Sequence, residues 1–155
     1  MNYISIDPGM SGCLVVIDET GTLKDHHFFQ HTMIGKSKRI DIARTAAFIR
    51  DLGDIERCFI EKVGAMPGQG VTSMFNFGHA AGALEGCVAA MGLPLSHITP
   101  QAWKRTFGLI GCDKDAARAK VALRFPHYKE LQLKGKGQAI SDAVLIAYHA
   151  LNLHP

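Results

Sequence analysis

The sequence predicts a mixed α/β domain that opens on an antiparallel meander and closes on helices. Three β-rich runs precede any helical pattern, and helical and strand patterns alternate afterwards. No linker, repeat or low-complexity stretch interrupts the 155 residues. That length suits one domain, residues 1–155, and is short for two well-cored ones. With 47% apolar and 20% charged residues, eight Phe and one Trp, the chain can bury a core. Disorder, collagen-like repeats and a small disulfide scaffold are excluded by those proportions.

Residues 2–7 alternate as a short strand, and Cys13–Asp18 is a second β-rich run. Between them Asp7-Pro8-Gly9-Met10-Ser11-Gly12 is a tight turn, so the two form an antiparallel hairpin. A third run over 23–30 follows the turn at 19–21, and such an opening argues against a purely parallel doubly wound sheet. Residues 32–39 are polar and basic and are expected to be a surface loop. Helical spacing over 40–52 (Ile40, Ala43, Ala47, Ile49) stops at Gly53. Residues 57–63 contain Cys58-Phe59-Ile60 followed by Glu61-Lys62, a buried strand that ends in charge. Three glycines and Pro67 mark 64–70 as a loop. A helix is expected over 71–91, a short strand over 95–99, and a short helix from Pro100 to Thr106 with proline in its first turn. Asp113 is expected to cap a helix that stops near Phe125, because Pro126 follows. Residues 134–137 are expected to be a basic, glycine-containing loop, and 138–153 the last helix.

No stretch approaches 18 consecutive apolar residues, and Met1-Asn2-Tyr3-Ile4 lacks the basic start of a secretory signal, so a cytoplasmic protein without a membrane partner is expected. Cys13, Cys58, Cys87 and Cys112 are 45, 29 and 25 residues apart, with no close ligand pair for zinc; reduced, buried or half-buried thiols are expected. The net charge of +3 is unevenly placed. Residues 1–100 carry 8 Lys/Arg against 10 Asp/Glu, whereas 101–136 carry 9 against 3. A polyanion would meet the C-terminal third, although a solvated basic helix has the same composition.

Three acidic residues stand where burial makes them costly: Asp7 at the end of an apolar strand, Glu61 at the end of another, and Asp142 in the apolar stretch Ala139-Ile140-Ser141-Asp142-Ala143-Val144-Leu145. If they converge at one sheet edge they make an oxygen-rich site suited to Mg²⁺, with Mn²⁺ as substitute. Two such ions held by shared carboxylates can cleave a phosphodiester. Each residue also has an ordinary alternative. Asp7 can be a turn residue, Glu61 can pair with Lys62 or Arg57, and Asp142 can be a carboxylate at a helix start beside a Ser141 cap.

The segments Ile6-Asp7-Pro8-Gly9-Met10-Ser11-Gly12, Phe59-Ile60-Glu61-Lys62-Val63 and Ser141-Asp142-Ala143-Val144-Leu145-Ile146-Ala147 resemble the three acidic motifs of RuvC-type Holliday-junction resolvases. Phe77-Gly78-His79-Ala80-Ala81-Gly82 and Thr99-Pro100-Gln101-Ala102-Trp103-Lys104 resemble connecting segments of bacteriophage-type members, and the likeness runs in order over about residues 3–150. It implies a ribonuclease H-like fold, a mixed five-stranded sheet with its first three strands antiparallel and helices on its flanks. It also implies a homodimer and Mg²⁺-dependent paired nicking of four-way junctions, leaving 5′-phosphate and 3′-hydroxyl ends. Asp7, Glu61 and Asp142 would be the catalytic metal ligands. The sequence departs from the pattern one helical turn before the last aspartate, where many relatives have another ligand and this chain has Ala139 after Gln138. His149 lies about 10 Å further along the same helix, too far to replace it.

Over 71–91, Met74, Phe77, Ala81, Leu84, Val88 and Met91 form one apolar seam, and Gly78, Gly82 and Gly86 form a neighbouring stripe that another backbone can approach. The helix either packs tightly on its own sheet or also joins a second copy. A dimer interface at Phe77, Gly78, Ala81, Gly82 and Glu85 is favoured, because a symmetric substrate needs two equivalent sites. DNA contacts are expected from Lys104, Arg105, Lys114 and Arg118, continuing to Lys120 and Arg124, and from Lys134 and Lys136. The loop with Gln69 can enter a junction, and Phe75 can stack on an unpaired base, although core packing is the stronger expectation for Phe75 and Trp103. The other histidines show no ligand spacing. Two further functions are alternatives: a branched-DNA-binding module that keeps the fold without catalysis, against which the three intact acidic residues speak, and an actin- or sugar-kinase-like nucleotide-binding protein, which opens with an acidic-glycine hairpin but would need a second phosphate loop and more chain.

Overall fold

A computed structural model describes residues 1–155. The strands are β1 (Asn2–Asp7), β2 (Cys13–Asp18), β3 (Leu23–Phe28), β4 (His31–Ile34), β5 (Ser37–Ile40), β6 (Arg57–Glu61) and β7 (Leu95–Ile98). The helices are α1 (Ile42–Asp51), α2 (Val71–Ala90), α3 (Pro100–Thr106), α4 (Ala116–Arg124) and α5 (Lys134–Ala150), with a 3-10 turn at Lys129–Gln132. Five strands form one sheet in the order β3-β2-β1-β6-β7, and β4 and β5 pair separately. β1, β2 and β3 are antiparallel neighbours, whereas β6 runs parallel to β1 and β7 parallel to β6. This is the ribonuclease H-like mixed sheet that the sequence motifs imply.

Strand alternation divides the core into two layers. Ile4, Ile6, Leu14, Val16, Cys58 and Ile60 face Leu84, Cys87 and Val88 of α2 and Ile49 of α1. Val15, Ile17 and Phe59 face the other way, toward Trp103, Val121 and α5. α5 lies against β1, β2 and β6 and buries ten of its residues, which explains its unbroken apolar run. No helix is long and apolar enough to cross a membrane.

Local chemistry sets the boundaries. Asp41 caps α1 by accepting the Arg44 N–H at 3.2 Å, and Thr99 caps α3 by accepting that of Ala102 at 3.2 Å. Gly12 is required by crowding, because a β-carbon there would collide with the Asp7 carbonyl oxygen. Three expectations are corrected. Residues 32–39 are not a loop: they belong to the hairpin β4–β5, whose two-residue turn places Gly35 at φ +61°, the left-handed angle a type II′ turn needs at its first central position. Asp113 does not cap α4. It accepts the Asp115 N–H at 2.8 Å in a preceding turn, and Asp115 stands at the helix start. Residues 134–137 are the first turn of α5, and Gly137 is there because a β-carbon would come within 2.8 Å of the Leu131 carbonyl oxygen.

Candidate active site

Asp7 is the last residue of β1 and continues the face that carries Tyr3 and Ser5. Glu61 is the last residue of β6 and continues the face of Phe59, and the Tyr3 and Phe59 rings stack at 5.9 Å on that side. The parallel register pairs Ile6 with Ile60, so one step on it sets Asp7 beside Glu61 at the carboxyl ends of adjacent strands. α5 crosses the same face. Asp142 lies in its interior, between buried Ser141 and Ala143, and not at a helix start. The Ser141 hydroxyl donates to the Gly137 carbonyl at 2.7 Å and caps nothing. Arg57 donates to Ser96 Oγ at 3.1 Å instead of pairing with Glu61.

Glu61 has a different partner. Its Oε2 accepts the indole N–H of Trp103 at 2.8 Å, so the one tryptophan both fills the core and orients a carboxylate. Packing predicts the burial of Trp103; its hydrogen bond is an addition, signalled only by the need of a buried indole N–H for an acceptor.

Burial pushes Asp7 up to about 7, the charges of Asp142 and Glu61 push the same way, and the Gly9 N–H and Lys104 ammonium oppose them. Burial and then Glu61 push Asp142 up to about 7, again against Lys104. Burial raises Glu61 too, opposed by the Trp103 hydrogen bond and Lys104. The three carboxylates therefore share one electrostatic neighbourhood, and Lys104 is the cation in it. Cys13, opposite Asp7 in the register, is buried, and that burial with the charges of Asp7 and Asp142 raises its thiol well above the ordinary range. It stays a protonated thiol. Hard carboxylate oxygens with little compensating charge suit a hard divalent cation. No three His, Cys, Asp or Glu side chains stand close enough to enclose an ion unaided.

Neither a protein-family model nor a curated protein sequence matches the chain. Its structure is similar to that of T. thermophilus RuvC in complex with a Holliday junction substrate, with a TM-score of 0.66 and 19% identity over 97% of this chain and 93% of that one. A second Thermus thermophilus RuvC structure matches with a TM-score of 0.54 and 18% identity, over 97% of this chain and 95% of its own. The chain has a RuvC-like fold.

Around this RuvC-like core the other expected residues divide. Asp7, Asp142, Gln138 and Lys114 line one cleft, and Asp142, Trp103, Lys104 and Lys114 an adjoining one. Lys104 and Lys114 thus stand beside the carboxylates, and Arg105 is exposed nearby on α3. Arg118 is bonded to Asp115 at 2.6 and 2.8 Å and to the Leu131 carbonyl at 3.0 Å, which ties three of its five donors to the fold. Lys120 and Arg124 line a separate hollow with Leu123 and Pro155. Lys134 is exposed, and Lys136 lies 5.4 Å from the centre of the Phe28 ring. Gln69 is exposed in its loop. Phe75 is 63% exposed on α2, contrary to the core packing expected of it.

On α2 the residues turned inward are Ala80, Ala81, Leu84, Cys87 and Val88, with Phe77 half-buried. Gly78, Gly82 and Gly86 are exposed, and a β-carbon at any of them would meet nothing within 4 Å. Glu85 is paired with His97 at 3.0 Å. Cys13, Cys58 and Cys87 are buried free thiols, whereas Cys112 is exposed, unlike the expectation. His149 Nδ1 is bonded to Thr106 Oγ1 at 2.8 Å, away from the carboxylates.

Proposed function

We propose that the chain is a metal-dependent, structure-selective endonuclease that resolves four-way DNA junctions, and other branched DNA, by paired symmetric nicks. The observation that carries this reading is the shared electrostatic neighbourhood of Asp7, Glu61 and Asp142 at one end of a RuvC-like sheet, each raised in pKa by burial. The neighbour in complex with a Holliday junction substrate supports the choice of DNA. Asp7, Glu61 and Asp142 would hold Mg²⁺ or Mn²⁺, two ions per site, whose chemistry is to activate the attacking water and stabilise the leaving oxygen. Trp103 holds Glu61 in one orientation, and Lys104 and Lys114 draw the phosphodiester toward the acidic cleft. Products with 5′-phosphate and 3′-hydroxyl ends can be religated. Two sites on a two-fold substrate call for a homodimer, and the open glycine stripe of α2 is the surface we assign to it.

A second reading, a module that binds branched DNA without cutting, is favoured by the lack of a closed three-ligand cage. One gel assay separates them. Wild-type protein with Mn²⁺ should cut a four-way junction in preference to a fork and a linear duplex, and Asp7→Asn should bind the junction and leave it whole. Binding without cutting by the wild type supports the module; equal cutting by Asp7→Asn refutes the assigned site.

A further inference from the structure

The unexpected hairpin β4–β5 builds a second charged surface. His31, Lys36, Lys38 and Arg39 lie within ten residues, and no Asp or Glu occurs between His26 and Ile40. Fold contacts bring these cations to the same end of the molecule as Asp7. His31 Nε2 donates to the Met10 carbonyl at 2.8 Å, tying the hairpin to the β1–β2 turn. A cleft of about 420 Å³ lies between hairpin, turn and α2, and its lining residues include those four, Ser11 and Asn76. Ser11 also lines the cleft that holds Asp7 and Asp142, so the two clefts adjoin.

Arg39 is already oriented. Its Nη1 donates to Asn76 Oδ1 at 2.8 Å and to the Lys38 carbonyl at 3.1 Å, and its Cζ lies 5.7 Å from the centre of the exposed Phe75 ring. Nε and Nη2 make no bond within the protein and keep the planar donor fork that matches phosphate oxygens. Neither Lys36, Lys38 nor Arg39 forms an ion pair. Cations gathered around a cleft without an acid among its lining residues raise the local concentration of a polyanion.

We propose that this cleft is a second phosphodiester-binding surface, which grips the backbone of a DNA arm on the opposite side of the β1–β2 turn from Lys104 and Lys114. The proposal rests on the DNA-processing reading above and adds a contact site to it. A strand drawn across three carboxylates is repelled there, and cations on both flanks offset that repulsion without touching the reacting phosphate.

The test is salt-dependent binding of a synthetic four-way junction and of a linear duplex, in EDTA, by wild type and by Lys36→Gln/Lys38→Gln. Both lysines are exposed and unpaired, so the hairpin register survives their replacement. Backbone contact predicts that the slope of log K against log salt falls in magnitude by about 2 on both DNAs, one for each lysine. The control, Arg50→Gln/Arg57→Gln, removes the same charge at the other end of β6 and should leave the slope unchanged. An unchanged slope in the hairpin variant, or an equal fall in the control, overturns the proposal. A wild-type protein that binds duplex in EDTA but cuts no junction once Mn²⁺ is restored refutes the nuclease reading alone, since the duplex slope still judges the hairpin. One that binds neither DNA overturns both.

Discussion

The two flanks of the β1–β2 turn handle charge in opposite ways. On one, Asp7, Glu61 and Asp142 are half-buried against an apolar sheet face with Lys104 as their cation; Asp142 and Glu61 make Asp7 harder to ionise, and Glu61 does the same to Asp142. On the other, Lys36, Lys38 and Arg39 occupy a hairpin open to solvent with no ion-pair partner. Burial turns a charge into a free-energy cost that a ligand can relieve, whereas exposure leaves it to act weakly, at long range and under control of salt. The acidic flank should therefore give large, specific responses to single changes, and the basic flank small, additive ones.

The largest response expected is that of cleavage to Asp7→Asn, a fall of about 10³-fold or more, equivalent to on the order of 4 kcal/mol of transition-state stabilisation. Junction binding in the same gels should persist. The second is the pH dependence of stability without metal. Asp7 and Asp142 ionise near 3.8 when unfolded and near 7 when folded, so the folded state holds more protons between those values. Stability should fall as pH rises from about 4 to 7 and then level off. Either carboxylate accounts for at most ~4 kcal/mol, and the two do not add, since the charge of Asp142 is part of what raises Asp7. Chemical denaturation of wild type and Asp142→Asn across that range should show the decline shrinking in the variant.

Smaller effects sharpen the contrast. Gly137→Ala should cost about 1–3 kcal/mol in a thermal melt, because its β-carbon would press on the Leu131 and Glu130 carbonyl oxygens and tilt the helix that carries Asp142. Trp103→Phe removes the donor to Glu61 while keeping an aromatic ring in the core, and should lower Mn²⁺ affinity and cleavage by roughly 10- to 100-fold. Arg39→Lys keeps the charge but loses the planar fork, and should weaken DNA binding only a few-fold in a titration.

The same contrast explains what could be read before the fold was in view. Asp7, Glu61 and Asp142 stood out because each interrupts an apolar run, and alternation along β1 and β6 follows from those runs. Nothing comparable marked residues 31–40. Every residue from His31 to Lys38 is exposed, so no buried face imposes a period, and the one signal was a glycine before Lys36 between two four-residue strands. The intramolecular bonds of Arg118 were hidden for a related reason. Composition counts it among nine cations, but its partners Asp115 and the Leu131 carbonyl are set by how α4 meets the 3-10 turn. Phe75 was misjudged because a large aromatic side chain ordinarily seeks the core, whereas the first turns of α2 bury no residue before Ala80 and Phe75 faces out beside Arg39. The tryptophan bond to Glu61 joins residues 42 apart in sequence, and only the β6–β7–α3 path brings them together.

Calorimetric titration of Mn²⁺ at pH 6.5, in buffers of different ionisation enthalpy, tests most directly whether the three carboxylates form one cation site. Protonated Asp7 and Asp142 must lose their protons to bind a metal, so the account predicts saturable binding with net proton release, abolished by Asp7→Asn. Binding that releases no protons, or that is equally strong in Asp7→Asn and Asp142→Asn, would contradict it.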